Sequence, residues 1–192
     1  MRLIQLALGA LISLALAATP TAGPGLSGAV WVGTRHARDA VIWVDAPEAP
    51  ALQTPRKVVL DQRDLSFSPH VLAVRVGTVV EFPNSDRVFH NVFSFREGRR
   101  FDLGMYPVGA VKYVTFDRPG LSRIFCNIHP NMAAYVLTVD SWYFAGTDEA
   151  GTFRIPLLPR GQYVYHAWRP GSSILTGSVS LDGQGPVDIR WP

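Results

Sequence analysis

Cys126-Asn127-Ile128-His129-Pro130-Asn131-Met132 sets a thiol, an imidazole and a thioether at three-residue steps, directly after the apolar run Ile124-Phe125. A second imidazole, His90, lies thirty-six residues upstream. One thiolate and two imidazoles in a plane, with a weak axial Met sulfur, form the donor set of a blue-copper site. Thiolate and thioether suit Cu(I) and imidazole suits Cu(II), so a mixed set lets one ion cycle between the two states. Cys126 is the only cysteine of the chain and has no intramolecular disulfide partner. Taken alone it reads most readily as a small core residue, with a reactive thiol or a ligand as the alternatives. The conjunction of four donor types favours the ligand: His90, Cys126, His129 and Met132 are the candidate metal site.

The upstream ligand has a matching context. Val79-Val80-Glu81-Phe82 reads as a strand, Pro83-Asn84-Ser85-Asp86 as the polar turn that ends it, and His90-Asn91-Val92 opens the next apolar stretch. These segments resemble the cupredoxins plastocyanin, pseudoazurin and amicyanin over roughly residues 57–140. The resemblance implies a Greek-key β-sandwich holding one type 1 copper per chain on His90, Cys126, His129 and Met132. It implies that the Asn91 amide ties the two ligand loops together. It also implies that the His129 ring edge is the electron port, framed by an apolar patch from the loop with Pro130, Met132, Ala133 and Ala134. The short His129–Met132 gap is of the amicyanin type. Asn84-Ser85-Asp86 and Cys126-Asn127-Ile128-His129 are similar, more closely, to exported cupredoxin-like proteins called methylamine utilization proteins. Those carry Asp-Trp before the Met, where this chain has Pro130-Asn131.

The N-terminus reads as an export signal over residues 1–17: a positive Met1-Arg2, an apolar run from Leu3 to Leu16, and the small-x-small site Ala15-Leu16-Ala17. That run falls short of the roughly 20 residues of a membrane span, so no stable membrane anchor is expected. The expected location is exported, periplasmic where the host has two membranes. About 175 residues then remain, enough for one large or two small domains. Without Arg2, seventeen basic side chains face fifteen acidic ones, a net +2. That balance is too weak for a nucleic-acid footprint, and no aromatic-basic RNA motif is present.

Seventeen Gly and fifteen Pro among many Val, Phe, Tyr and Trp point to short strands and tight turns, and nothing after the signal has helical period. The expected class is all-β: a cupredoxin sandwich plus a second small β-sandwich. Residues 18–56 read as the first strands of the small sandwich, Gly28 to Gly33 and Ala40 to Val44, followed by the Pro/Ala-rich linker Ala46 to Pro55. Residues 57–140 carry the cupredoxin strands. Residues 141–192 carry two turn-and-strand units, Thr147 to Ile155 and Leu158 to Val164, that resemble a carboxypeptidase regulatory-like or transthyretin-like sandwich. The economical organisation is an insertion: the copper domain interrupts the small sandwich, with Trp31 and Trp43 covering faces such as Phe153, Ile155, Tyr163 and Val164. Two consecutive domains with an N-terminal extension are the alternative.

Such a site normally passes single electrons to and from a redox partner protein. The competing class is copper handling as a chaperone, buffer or resistance protein. No enzyme is expected and no catalytic residue is assigned, because the remaining histidines, His36, His70 and His166, are scattered over three blocks. Arg96, Arg99 and Arg100 crowd one turn; they read either as a solvated tip or as a docking site for an acidic partner.

Overall fold

The computed structural model describes residues 23–46, 57–95, 98–183 and 185–192. The export signal, most of the linker 46–55 and Arg96 lie outside the described residues. Among the described residues no helix is long and apolar enough to cross a membrane.

The chain is all-β. In order the strands are β1 (Gly23–Val32), β2 (Arg35–His36), β3 (Val41–Val44), β4 (Val58–Val59), β5 (Asp61–Arg63) and β6 (Ser66–Ser68). Then come β7 (Val71–Arg75), β8 (Thr78–Pro83), β9 (His90–Ser94), β10 (Phe101–Tyr106), β11 (Val111–Phe116) and β12 (Gly120–Phe125). The last six are β13 (Ala133–Val139), β14 (Phe144–Gly146), β15 (Thr152–Leu157), β16 (Gln162–Trp168), β17 (Leu175–Ser180) and β18 (Val187–Trp191).

Among the described residues four sheets stack face to face, and β5-β6 form a separate two-stranded sheet. The first has the order β11-β8-β4 and the second β10-β9-β12-β13-β7. The third is β14-β3-β16-β17, and the fourth is β15-β1-β18 with β2 on β1. Three apolar cores fill the gaps. Val80, Phe82, Val92, Phe116, Ile124 and Val136 join the first two sheets. Val41, Leu137, Val139 and Trp168 join the second and third. Leu26, Val30, Ile42, Phe153, Ile155 and Ile189 join the third and fourth.

The two middle sheets are covered on both faces, and their sequences say why they can be. Val41-Ile42-Trp43-Val44 and Ala133 to Val139 are nearly continuous apolar runs, the pattern of a strand buried on both sides. In β13, Ala134 and Val136 face the core between the first two sheets while Leu137 and Val139 face the third sheet. In β7, Val74 faces the core between the first two sheets, and Val71 and Ala73 pack on the opposite face.

β1 pairs antiparallel with β15 and parallel with β18, and β3 pairs antiparallel with β14 and β16. Among the described residues the N-terminal strands thus pair only with strands after Trp142 or with each other. The expected role of the tryptophans is corrected. Because side chains alternate along a strand, Val30 and Ile42 occupy the small-sandwich core, and Trp31 and Trp43 point the other way. Trp31 meets His36 with ring centroids 3.8 Å apart, while Trp43 stacks on His166 and borders the core shared with the second sheet.

Candidate metal centre

Strand pairing brings the distant ligands together. β9 and β12 are neighbours, with Phe93 opposite Phe125. His90 opens β9, and Cys126 is the first residue past β12, so both emerge at the same end of the sheet. The loop from Cys126 to Met132 is closed by its own backbone. Met132 N–H donates to His129 C=O at 2.9 Å, and Cys126 N–H donates to Met132 C=O at 3.3 Å. β13 then starts at Ala133, opposite Phe125. A tight loop between paired strands leaves His129 and Cys126 little freedom to separate.

The three strong donors converge. His90 Nδ1 and His129 Nδ1 are 3.0 Å apart, and Cys126 Sγ lies 3.9 Å from the first and 3.6 Å from the second. Two bonds of about 2.0–2.3 Å to a single ion span such separations, so the donor triangle fits one metal ion. His90, Cys126 and Met132 are buried, and His129 is half-buried. Met132 sits in the core between the first two sheets with Cys126 and Ala134. The set is soft sulfur with two imidazoles, which suits copper better than a hard cation. The three remaining histidines are engaged elsewhere: His36 with Ala150 C=O, His70 with Asp39, and His166 with Asp45 and Thr176.

The loop before His90 is organised by a buried residue that the sequence shows only as part of a turn cluster. Asn84 donates through Nδ2 to Val88 C=O at 2.8 Å and to Tyr106 C=O at 3.2 Å. Its Oδ1 accepts the Asp86 N–H, its backbone N–H donates to Ala110 C=O, and its C=O accepts the Gly109 N–H. Behind it, Tyr106 donates to Phe82 C=O, and Gln62 donates to Tyr106 and to Pro83 C=O. Burial pushes the Tyr106 hydroxyl well above its ordinary range and keeps it a neutral donor.

Asp86 accepts the His90 Nε2–H at 2.9 Å. Its carboxyl is held down to about 2, chiefly by the hydrogen bond from Leu65 N–H, with His90 and Arg87 N–H helping. The signal for this contact was an acid four residues before the ligand, within the turn Pro83 to Asp86.

Two expectations from the resemblance are corrected here. The Asn91 amide does not tie the ligand loops: it donates to Asp102 Oδ1 at 2.8 Å and joins β9 to β10. The loop's apolar frame also differs in part. Met132 and Ala134 are buried, Ala133 is half-buried and Pro130 is exposed, and the large exposed apolar side chains on the two ligand loops are Val88, Phe89 and Ile128. Arg99 pairs with Asp117 at 3.0 Å, and Arg118 contacts the same carboxylate, so the arginine turn is partly neutralised from within.

No protein-family model matches the chain, and no curated protein matches it. Several solved structures are similar in part. A purple cupredoxin from Nitrosopumilus maritimus is 23% identical over 43% of this chain and 100% of its own, with a TM-score of 0.40. A copper-containing nitrite reductase from Thermus scotoductus is 29% identical over 50% of this chain and 25% of its own, with a TM-score of 0.42. An oxidised amicyanin variant is 21% identical over 51% of this chain and 98% of its own, with a TM-score of 0.41.

Proposed function

We propose that this chain is an exported blue-copper protein that carries single electrons between redox partners. The observation that carries this reading is the convergence of His90 Nδ1, His129 Nδ1 and Cys126 Sγ within 3.9 Å of one another, at a buried point where Met132 also packs. Copper bound there supplies a one-electron Cu(II)/Cu(I) couple. The protein's part is to hold the donors still. His90 is locked by Asp86 and by β9, and Cys126 by its position at the end of β12. Donors fixed in advance need little rearrangement when the charge on the ion changes. Loading requires the Cys126 thiolate, so the thiol proton is released on binding.

His129 alone of the three strong donors is partly open to solvent. Its ring edge is the route by which an electron enters and leaves. Phe89, Val88 and Ile128 on the two ligand loops give a small apolar surface suited to brief docking. A copper buffer or chaperone is the second class. The burial of His90, Cys126 and Met132 favours the carrier, because a metal that must be handed on is better served by accessible ligands.

The test is protein matured with copper. One copper per chain, an intense visible band and reversible one-electron cycling are expected. Cys126→Ser should lose the band and keep the fold, since Ser is close in size but a poor soft ligand. Colourless wild-type protein without copper would sink the reading. Copper that binds but does not cycle would favour handling.

A further inference from the structure

An imidazole offers one nitrogen to a metal only if the other is occupied, and the partner of that other nitrogen sets the ring's tautomer and orientation. In His90 the outer nitrogen, Nε2, faces a carboxylate and not a neutral carbonyl. Asp86 Oδ2 lies 2.9 Å away, with the His90 side chain fully buried and the Asp86 side chain 10% exposed. The carboxylate is itself held on several sides. Oδ2 also accepts the Leu65 N–H at 2.8 Å, and Oδ1 accepts the Arg87 N–H at 2.7 Å. Asp86 N–H in turn donates to Asn84 Oδ1 at 3.1 Å. The Leu65 N–H comes from the turn between β5 and β6, where Asp64 and Leu65 both have positive φ, 51° and 56°.

We propose that Asp86 is the positioning residue of the metal centre: its carboxylate takes the His90 Nε2–H, holds the Nδ1 lone pair toward Cys126 and His129, and sets a negative charge one imidazole away from the ion. This rests on the copper reading. Two consequences follow from electrostatics and from geometry. A carboxylate makes the bound imidazole a stronger donor, which favours Cu(II) over Cu(I) and lowers the reduction potential. In the metal-free protein His90 Nδ1 is an acceptor, and the group facing it at 3.0 Å, His129 Nδ1, is then the donor. His90 is thus pre-set for metal before it arrives, whereas His129 gives up its Nδ1 proton when the ion binds.

Asp86→Asn keeps an acceptor oxygen for His90 and removes the charge. Asp86→Ala removes both. In the full copper-loaded chain, Asp86→Asn should weaken Cu(II) binding about tenfold relative to Cu(I), which raises the potential by about 59 mV for one electron. Asp86→Ala should weaken Cu(II) binding further. Equal potentials in wild type and Asp86→Asn overturn the proposal. A second readout needs neither copper nor a variant: imidazole nitrogen resonances of metal-free wild type. His90 is expected as the Nε2–H tautomer with a slowly exchanging proton, and an Nδ1–H tautomer overturns the proposal even if the variants fail to fold. Wild-type protein that takes up no copper counts against the parent reading, whereas wild type that binds copper with a potential indifferent to Asp86→Asn counts against Asp86 alone.

Discussion

Tyr135 and Trp168 meet edge to face, with ring centroids 5.5 Å apart and planes at 62°. The first belongs to β13, the strand that follows the Cys126–Met132 loop, and the second ends β16 of the small sandwich. Arg75, at the end of β7, adds a second tie by lying 3.4 Å from the centre of the Trp142 ring. The sheet that carries the ligands is therefore backed by a second sandwich. Truncating the buried Trp168 to Ala should cost about 3–5 kcal/mol in unfolding by urea. A double-mutant cycle with Tyr135→Ala should show coupling of about 0.5–1.5 kcal/mol. Strict additivity would mean that the ring contact contributes nothing of its own.

That backing bears on the proposal that residues 57–140 form an inserted unit. Replacing them with a short Gly/Ser linker leaves the core of Leu26, Ile42, Phe153 and Ile189 intact, but it uncovers Val41, Trp43 and Trp168. The shortened chain should fold by circular dichroism and self-associate in size-exclusion chromatography. Adding Val41→Thr and Trp168→Gln should restore the monomer. An unfolded product in both versions would count against the insertion.

Met132 is buried beside Cys126 with its backbone bonded to the ligand loop. As a weak axial donor it should tune the potential more than it retains the ion. Met132→Leu is expected to keep copper and colour and to raise the potential, since removing a donor disfavours Cu(II). Voltammetry of the purified variant checks this; an unchanged potential would remove Met132 from the ligand set.

Asn84 links the first ligand loop to β10 through two donated bonds, with its side chain shielded from water. Asn84→Ala leaves Val88 C=O, Tyr106 C=O and Asp86 N–H short of partners, at about 1–3 kcal/mol for each group that stays buried. Lower thermal stability of the metal-free protein and weaker copper retention should appear together. Asn91→Ala, which breaks a bond to β10 and none between the ligand loops, should affect stability more than copper retention.

The arginine turn makes a split prediction. Arg99→Glu places like charges beside Asp117 and should destabilise by about 0.5–1 kcal/mol, the scale of an exposed pair. Arg100→Glu should leave stability unchanged. If the turn docks an acidic partner, Arg100→Glu slows association at low salt and flattens its salt dependence, read by stopped flow. Equal rates at low ionic strength would identify the turn as a solvated tip.

The candidate ligand set was legible in the sequence because coordination chemistry is local: a Cys, a His and a Met within seven residues leave few other uses for that combination. The all-β class was legible because short apolar runs between Gly and Pro turns have no helical period. The continuous runs Val41 to Val44 and Ala133 to Val139 carried a further message, that both faces of these strands are covered. What a run cannot carry is the identity of the cover. Whether Trp43 faces the small-sandwich core or the neighbouring sheet depends on a one-residue phase and on which sheet lies above it, and both are set by packing of segments far apart in the chain. The same holds for polar partners. On paper Asn91 has a role beside His90 and Asp86 has none, yet the path of the loop turns Asp86 onto the ring and Asn91 toward β10. The sequence determined which residues are the candidate metal ligands. Tertiary structure decided what holds those atoms, because hydrogen-bond partners and buried faces are chosen in space and not along the chain.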